Sequence, residues 1–173
     1  MKPVFELQPR LAGELVRARP LERSDFDALY AVASDPLLWE QHFDKERWRE
    51  ERFQKFFDEA LGSGGALLIM DAATGAVIGT SRYKWLDWLE DGHPEMEIGW
   101  TFLARSHWGG RYNGELKQLM LAHAFRFVDH VRFHVAAGNV RSGRALEKIG
   151  ARMAGQFRAA TGRDVTRYVV TRP

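Results

Sequence analysis

The chain contains no cysteine. Disulfides, thiolate metal sites and a cysteine nucleophile are therefore excluded, and any chemistry must use other side chains. It also has no apolar run near the ~20 residues that a membrane-spanning helix needs. The opening residues, Met1-Lys2-Pro3-Val4-Phe5-Glu6, lack the continuous apolar core of a secretory signal. A cytoplasmic protein without a membrane partner is expected. Internal repeats and low-complexity tracts are missing as well. His130 and His134 have four-residue spacing, but their segment alternates like a strand, so they would not share a helical face and no metal site is expected.

What is present describes one domain, residues 1–173. An apolar share of 45% and a charged share of 28% over 173 residues suffice for a sizeable core. The net charge of +2 gives little reason to expect a nucleic-acid partner. The charge is unevenly placed, however. From Asn139 onward, Arg141, Arg144, Lys148, Arg152, Arg158, Arg163, Arg167 and Arg172 are opposed only by Glu147 and Asp164. Acids gather instead at Asp87, Glu90, Asp91, Glu95 and Glu97. A basic end and an acidic loop suit an anionic ligand and a cationic one.

Periodicity orders the elements. Residues 15–19 alternate as a first strand. Ser24 is expected to cap a helix through Val32, with Phe26, Leu29, Tyr30 and Ala33 on one face. A second, charge-rich helix is expected from Asp44 to about Leu61, ended by Gly62-Ser63-Gly64-Gly65. Strands at 66–70 and 76–83 flank a hairpin loop, and 85–94 reads as a polar loop studded with aromatics. Glu95 to Leu103 alternates, placing Met96, Ile98, Trp100 and Phe102 on one face and Glu95, Glu97 and Thr101 on the other; Gly99 suggests a bulge or a close approach. A turn at 105–112 leads to a helix at about 113–128, with Leu116, Leu119, Met120, Ala124 and Phe127 buried. A strand at 131–136, a helix at 140–149 and strands near 151–159 and 165–171 complete the chain.

The most specific segment is Asn139-Val140-Arg141-Ser142-Gly143-Arg144-Ala145-Leu146-Glu147-Lys148-Ile149-Gly150-Ala151. Asn139 caps a helix, Gly150 stops it, and Ala145, Leu146 and Ile149 supply the apolar stripe. A strand feeds this helix, so its N-terminus is a ready anion site. Asn139, Ser142, Leu146, Lys148 and Gly150 fall in register with the last conserved helix of the GCN5-related N-acetyltransferases, which the chain resembles from about Leu15 to Thr171. It looks closest to the branch that acetylates protein N-termini, the ribosomal-protein alanine acetyltransferases. The resemblance implies an α+β fold with a mixed central sheet of about seven strands and about four helices. It also implies acetyl-CoA as co-substrate, no metal, and an amine acceptor taken up by a monomer or homodimer.

The family's pyrophosphate turn aligns with Trp108-Gly109-Gly110-Arg111-Tyr112-Asn113-Gly114. Arg111 and Asn113 stand where Gly, or Gly or Ala, is usual. Arg111 offers a cation to phosphate, Asn113 is a candidate helix cap, and Gly110 and Gly114 are candidates to take over the flexibility. The family's chemistry needs a base for the amine, a donor for the developing oxyanion and an acid for the leaving thiolate. Glu97, before Ile98-Gly99-Trp100, is the candidate base and Glu95 the runner-up. Backbone N–H groups between Trp100 and Leu103, including Phe102, are candidates for the oxyanion and the pantetheine arm. Ser142 is the candidate acid. Asn139 is placed beside the pantetheine, and Arg111 and Arg144 at the phosphates. Trp85 and Trp88, with the nearby acids and Trp100, are the candidate substrate rim. Two readings stay open beside peptide N-terminal acetylation: a small-molecule amine acceptor, and a non-catalytic acyl-CoA-binding domain.

Overall fold

The computed structural model describes residues 4–86 and 93–173. Asp87, Trp88, Glu90 and Asp91 of the expected rim lie outside them. The strands are β1 (Leu11–Ala12), β2 (Val16–Pro20), β3 (Ala66–Asp71), β4 (Val77–Leu86), β5 (Glu95–Leu103), β6 (His130–Ala136), β7 (Arg152–Arg158) and β8 (Asp164–Thr171). The α-helices are α1 (Phe26–Ala33), α2 (Glu50–Gly62), α3 (Tyr112–Ala124) and α4 (Val140–Lys148). The strands form one eight-stranded sheet in the order β1-β2-β3-β4-β5-β6-β8-β7. Every neighbouring pair is antiparallel except β5 and β6, which run parallel. This is the expected α+β architecture, with the two-residue β1 as the additional strand. No helix is long and apolar enough to cross a membrane among the described residues.

The sheet has a core on each face. Leu116, Met120 and Ala124 of α3 and Leu146 of α4 pack with Met96, Ile98, Val131 and Tyr168 on one face. Leu29 and Ala33 of α1 and Phe53, Phe56, Phe57 and Ala60 of α2 pack with Leu68 and Phe102 on the other. Helices α1 and α2 cover only part of that second face, over the β2–β5 half of the sheet.

Several boundaries differ from the sequence expectation, each for a local reason. Ser24 does not cap α1. Asp25 Oδ2 accepts from Glu22 N (2.8 Å), and Arg19 grips the two oxygens of the same carboxylate, Nη1 on Oδ2 and Nη2 on Oδ1, so a 3-10 turn at Arg23–Asp25 enters the helix. The second helix begins at Glu50 rather than Asp44, because Asp44 Oδ1 accepts from Glu46 N and Arg49 is extended. Strand β4 runs through the start of the expected loop, with Trp85 opposite Met96. Helix α3 starts at Tyr112, so Arg111 is the capping residue and Asn113 lies inside the first turn instead of capping it. The same helix stops at Ala124, where turns take over through Val128.

The largest departure is in β5. Arg82 opposes Gly99 and Thr80 opposes Phe102, so Ser81 alone faces both Trp100 and Thr101. This is a bulge, with Trp100 at φ 52°. The extra residue shifts the alternation by one. Phe102 therefore falls on the α1–α2 face, away from Met96 and Ile98, and Trp100 is left partly exposed. The glycine-marked irregularity is real but sits one residue further on.

Candidate active site

The parallel pair β5 and β6 is joined only at Glu95–His130, Met96–Val131 and Glu97–Arg132. Beyond Glu97 the strands part. Strand β5 continues to Leu103 while β6 pairs with β8 as far as Ala136. The result is a wedge opening toward the C-terminal ends of two parallel strands. Helices α3 and α4 follow β5 and β6 directly, so both helix N-termini stand at the mouth of the wedge. Such a crevice favours phosphate through unpaired N–H groups and the helix dipoles.

The two helix starts are held together. Trp108 Nε1 donates to Leu103 O (2.8 Å), and the Arg141 guanidinium lies 3.7 Å from the centre of the Trp108 ring. Gly109 sits at φ 71°, a conformation that costs glycine little. Tyr112 OH donates to Asp71 Oδ2 (3.3 Å), and the same oxygen lies 3.0 Å from His107 Nε2. The His107 contact, with backbone donors from Ala73 and Thr74, holds the Asp71 carboxyl below its ordinary range. Tyr112 thus anchors the turn to the β3–β4 hairpin. Arg111 is exposed at the helix start. A Cβ on Gly114 would meet nothing within 4 Å, and one on Gly110 only the Tyr112 ring edge at 3.9 Å, so the turn stays open to a ligand. At α4, Asn139 Oδ1 accepts from Ser142 N (3.2 Å) as a helix cap. Ser142 is half-buried and Arg144 exposed. Phe102 and Leu103 bury their side chains, leaving only backbone for a ligand in the wedge. This open turn, two helix starts and nearby Arg111, Arg141 and Arg144 fit a long phosphate-bearing carrier such as coenzyme A.

Glu97 occupies the vertex of the wedge, as the last residue of β5 paired with β6. It is 8% exposed. Arg167 Nε reaches His134 Nε2 (3.4 Å), which makes that nitrogen the acceptor and directs the His134 Nδ1 proton to Glu97 Oε1 (2.8 Å). Glu97 therefore keeps one oxygen for other partners. Glu95 is buried and ion-paired with Arg132, so its carboxylate is already engaged. Trp85 lies on the opposite face of the sheet from Glu97, packed against Phe5, and the fold does not bring it to this site. Trp100 remains near, its ring 4.6 Å from the Arg82 guanidinium.

Sequence reasoning missed four contributors. His134 and Arg167 reach Glu97 only through the pairing of β6 with β5 and β8, which no local pattern reveals. Arg141 was counted only as part of a basic tail. Lys117, 6% exposed, sends Nζ to Thr101 Oγ1 (2.7 Å) and lies 5.5 Å from the centre of the Phe133 ring, beneath the gap between β5 and β6. Burial pulls its pKa down to about 7. Its place between Leu116 and Met120, and four residues before Leu121, was a usable signal.

With this geometry in view, the comparison with known families is decisive. The family profile described as acetyltransferase (GNAT) domain matches residues 16–152. The chain belongs to the GNAT acetyltransferase family. Solved structures agree on the fold of this acetyltransferase. A GCN5-related N-acetyltransferase from Brucella melitensis is 22% identical, with a TM-score of 0.82 over 99% of this chain and 80% of its own. RimJ from Mycobacterium smegmatis, in complex with CoA-disulfide, is 17% identical, with a TM-score of 0.70 over 95% of this chain and 86% of its own. Spermidine N-acetyltransferase from Vibrio cholerae, with CoA and spermine, is 17% identical, with a TM-score of 0.68 over 92% and 96%. No curated protein matches the sequence.

Proposed function

We propose that this GNAT acetyltransferase uses acetyl-CoA and transfers its acetyl group directly to a primary amine, with the N-terminus of a protein or peptide as acceptor. The observation that carries the reading is Glu97, a His134-bonded carboxylate at the vertex of a wedge flanked by two helix starts. CoA complexes of two proteins sharing the fold support the co-substrate. The acceptor rests on the sequence resemblance to N-terminal acetyltransferases.

Each step has a group on hand. An α-amino group titrates near about 7.7–8.0, so a carboxylate acting directly or through one water can remove its proton. The neutral amine attacks the thioester carbonyl, forming the C–N bond. Beyond Glu97 strand β6 parts from β5, and β5 bulges at Trp100–Thr101, which leaves N–H groups on the wedge side of β5 for the developing oxyanion. The C–S bond then breaks; the Ser142 hydroxyl delivers a proton to the thiolate and is reprotonated, through water, by the proton that the attacking nitrogen sheds as it becomes the amide. Amide and free thiol leave, with no covalent intermediate on the protein.

The test is acetyl-CoA consumption with a panel of short peptides and small amines, followed by mass spectrometry of the products. Acetyl at peptide N-termini is expected. Coenzyme binding without acetyl transfer to any amine would overturn the reading in favour of a non-catalytic acyl-CoA-binding domain.

A further inference from the structure

Arg82 carries a buried charge that no hydrogen bond to Nε or Nη2 satisfies among the described residues. The residue is 7% exposed, and its Nε and Nη2 are buried without a hydrogen-bond partner. Arginine stays protonated in such a place, and an unpaired buried charge is costly to keep. Buried polar groups are otherwise nearly always paired, so an orphaned one asks for a partner that comes from outside.

The surroundings show where that partner would sit. Arg82 is on β4, on the sheet face that carries α2, with its guanidinium 5.8 Å from the centre of the Phe56 ring and 4.6 Å from that of Trp100. Its cross-strand neighbour is Gly99. A Cβ built there would meet only Glu97 Oε1 within 4 Å, at 3.9 Å. The missing side chain leaves a gap on the sheet surface with Glu97 at one side and Arg82 at the other. A second cation closes in behind: Arg47, whose buried Nε is ion-paired with Asp44 Oδ2 at 3.6 Å, lies 4.6 Å from the centre of the same Phe56 ring. Beyond it, Arg163 of the β7–β8 turn sits 3.3 Å from the centre of the Phe43 ring, bringing that turn against the segment before α2. The acids acting on this cluster are placed elsewhere. Asp44 engages Arg47 and Arg52. Glu59 and Glu97 act on Arg82 through space without a hydrogen bond to it.

We propose that the acceptor carries a carboxylate within a few bonds of its reacting amine, and that Arg82 receives this carboxylate across the gap over Gly99 while Glu97 faces the amine. The proposal rests on the N-acetyltransferase reading and narrows it. The guanidinium fork matches a carboxylate in two parallel hydrogen bonds. An acidic first or second residue of a peptide, or a free amino acid, supplies that chemistry. A polyamine does not, since it would set further positive charge against Arg82.

The experiment measures initial rates of thiol release at saturating acetyl-CoA with matched acceptors. These are a peptide beginning Asp-Ala against one beginning Asn-Ala, both C-terminally amidated, then free glutamate against glutamine α-amide, and spermidine. The acidic member of each pair should have a KM about ten-fold lower than its amide counterpart, from one charge-assisted pair. Arg82→Met should erase that ratio, and Arg82→Lys should restore only part of it. The peptide and free amino-acid arms distinguish the two sources. Equal KM values within both pairs, or an Arg82→Met ratio equal to that of the unaltered protein, would overturn the proposal while leaving acetyl transfer intact. If no amine at all is acetylated, the parent reading falls. Calorimetry of the Asp-Ala peptide with coenzyme-loaded protein then decides on Arg82 alone: heat lost in Arg82→Met supports the site, and absence of heat with the unaltered protein overturns it. Should Arg82→Met fail to fold, the matched pairs on the unaltered protein still decide.

Discussion

The Arg141 guanidinium lies over the Trp108 ring at 3.7 Å, joining the start of α4 to the turn before α3. Trp108 is itself tied to Leu103 O at the end of β5. One cation–π contact thus couples the strand, the turn and both helix starts that frame the wedge. Cation–π pairs contribute about 0.5–2 kcal/mol, depending on desolvation. Arg141→Ala should therefore raise the coenzyme Kd roughly three- to thirty-fold in calorimetry, with little change in melting temperature. A Kd unchanged by the substitution would reduce the stack to surface packing.

Glu97→Gln should lower kcat by roughly a hundred-fold, as expected for loss of a base, and shift the acid limb of the pH–rate profile while coenzyme affinity holds. His134→Gln should move the same limb more weakly, since His134 acts by orienting Glu97. Ser142→Ala should slow transfer several-fold if the hydroxyl feeds the thiolate; rates matching the unaltered protein would leave Ser142 a first-turn residue of α4. An acid limb that stays put in Glu97→Gln removes Glu97 as the base.

The local parts of this site were readable from sequence because local forces build them. Asn139 and Gly150 bound α4 through contacts within a few residues, and Ala151 N returns to Leu146 O as the stop expected of that glycine. The position of Glu97 on β5, just before Gly99, follows from a short motif on one strand. What eluded the sequence depends on pairs of distant segments. Gly99 points to a bulge, but its place at Trp100 is set only by the pairing with Ser81, so alternation carried straight through β5 puts Phe102 on the wrong face. The His134 contact crosses from β6 to β5. Trp85 reads as loop because aromatic and polar residues follow it, yet its pairing with Met96 extends β4 and places it on the face opposite Glu97. Arg82 gave no signal at all, since a strand arginine is ordinarily solvated and its burial comes from Phe56 and Trp100.

Gly143 tests how closely α4 must approach the sheet. A Cβ at this position would lie 2.6 Å from Tyr168 Oη, on β8. Gly143→Ala should push the helix outward, costing about 1–3 kcal/mol as overpacking usually does, and should weaken coenzyme binding by moving Asn139. Removing the hydroxyl relieves the clash, so Tyr168→Phe should recover much of the loss in the double variant. Additive losses in denaturant unfolding would show that the contact does not set the helix position.

Lys117 makes stability depend on pH in a definite direction. Buried under the wedge with Thr101 Oγ1 as its hydrogen-bond partner, its ammonium titrates near 7, against an ordinary value of 10.5. Between those values the unfolded chain holds a proton that the folded chain has released. Folding stability should therefore rise with pH across this window, by up to about 1.4 kcal/mol per unit, and the gain should be lost as pH falls toward 7. His42, whose pKa burial lowers to about 4, acts below this range, and Tyr83, pushed up by burial, acts above it. Lys117→Met keeps the stem and removes the charge. It should raise stability at pH 7 and flatten the profile from pH 7.5 to 9.5 in urea titrations. Parallel profiles for the two proteins would mean that Lys117 keeps its proton in the folded state.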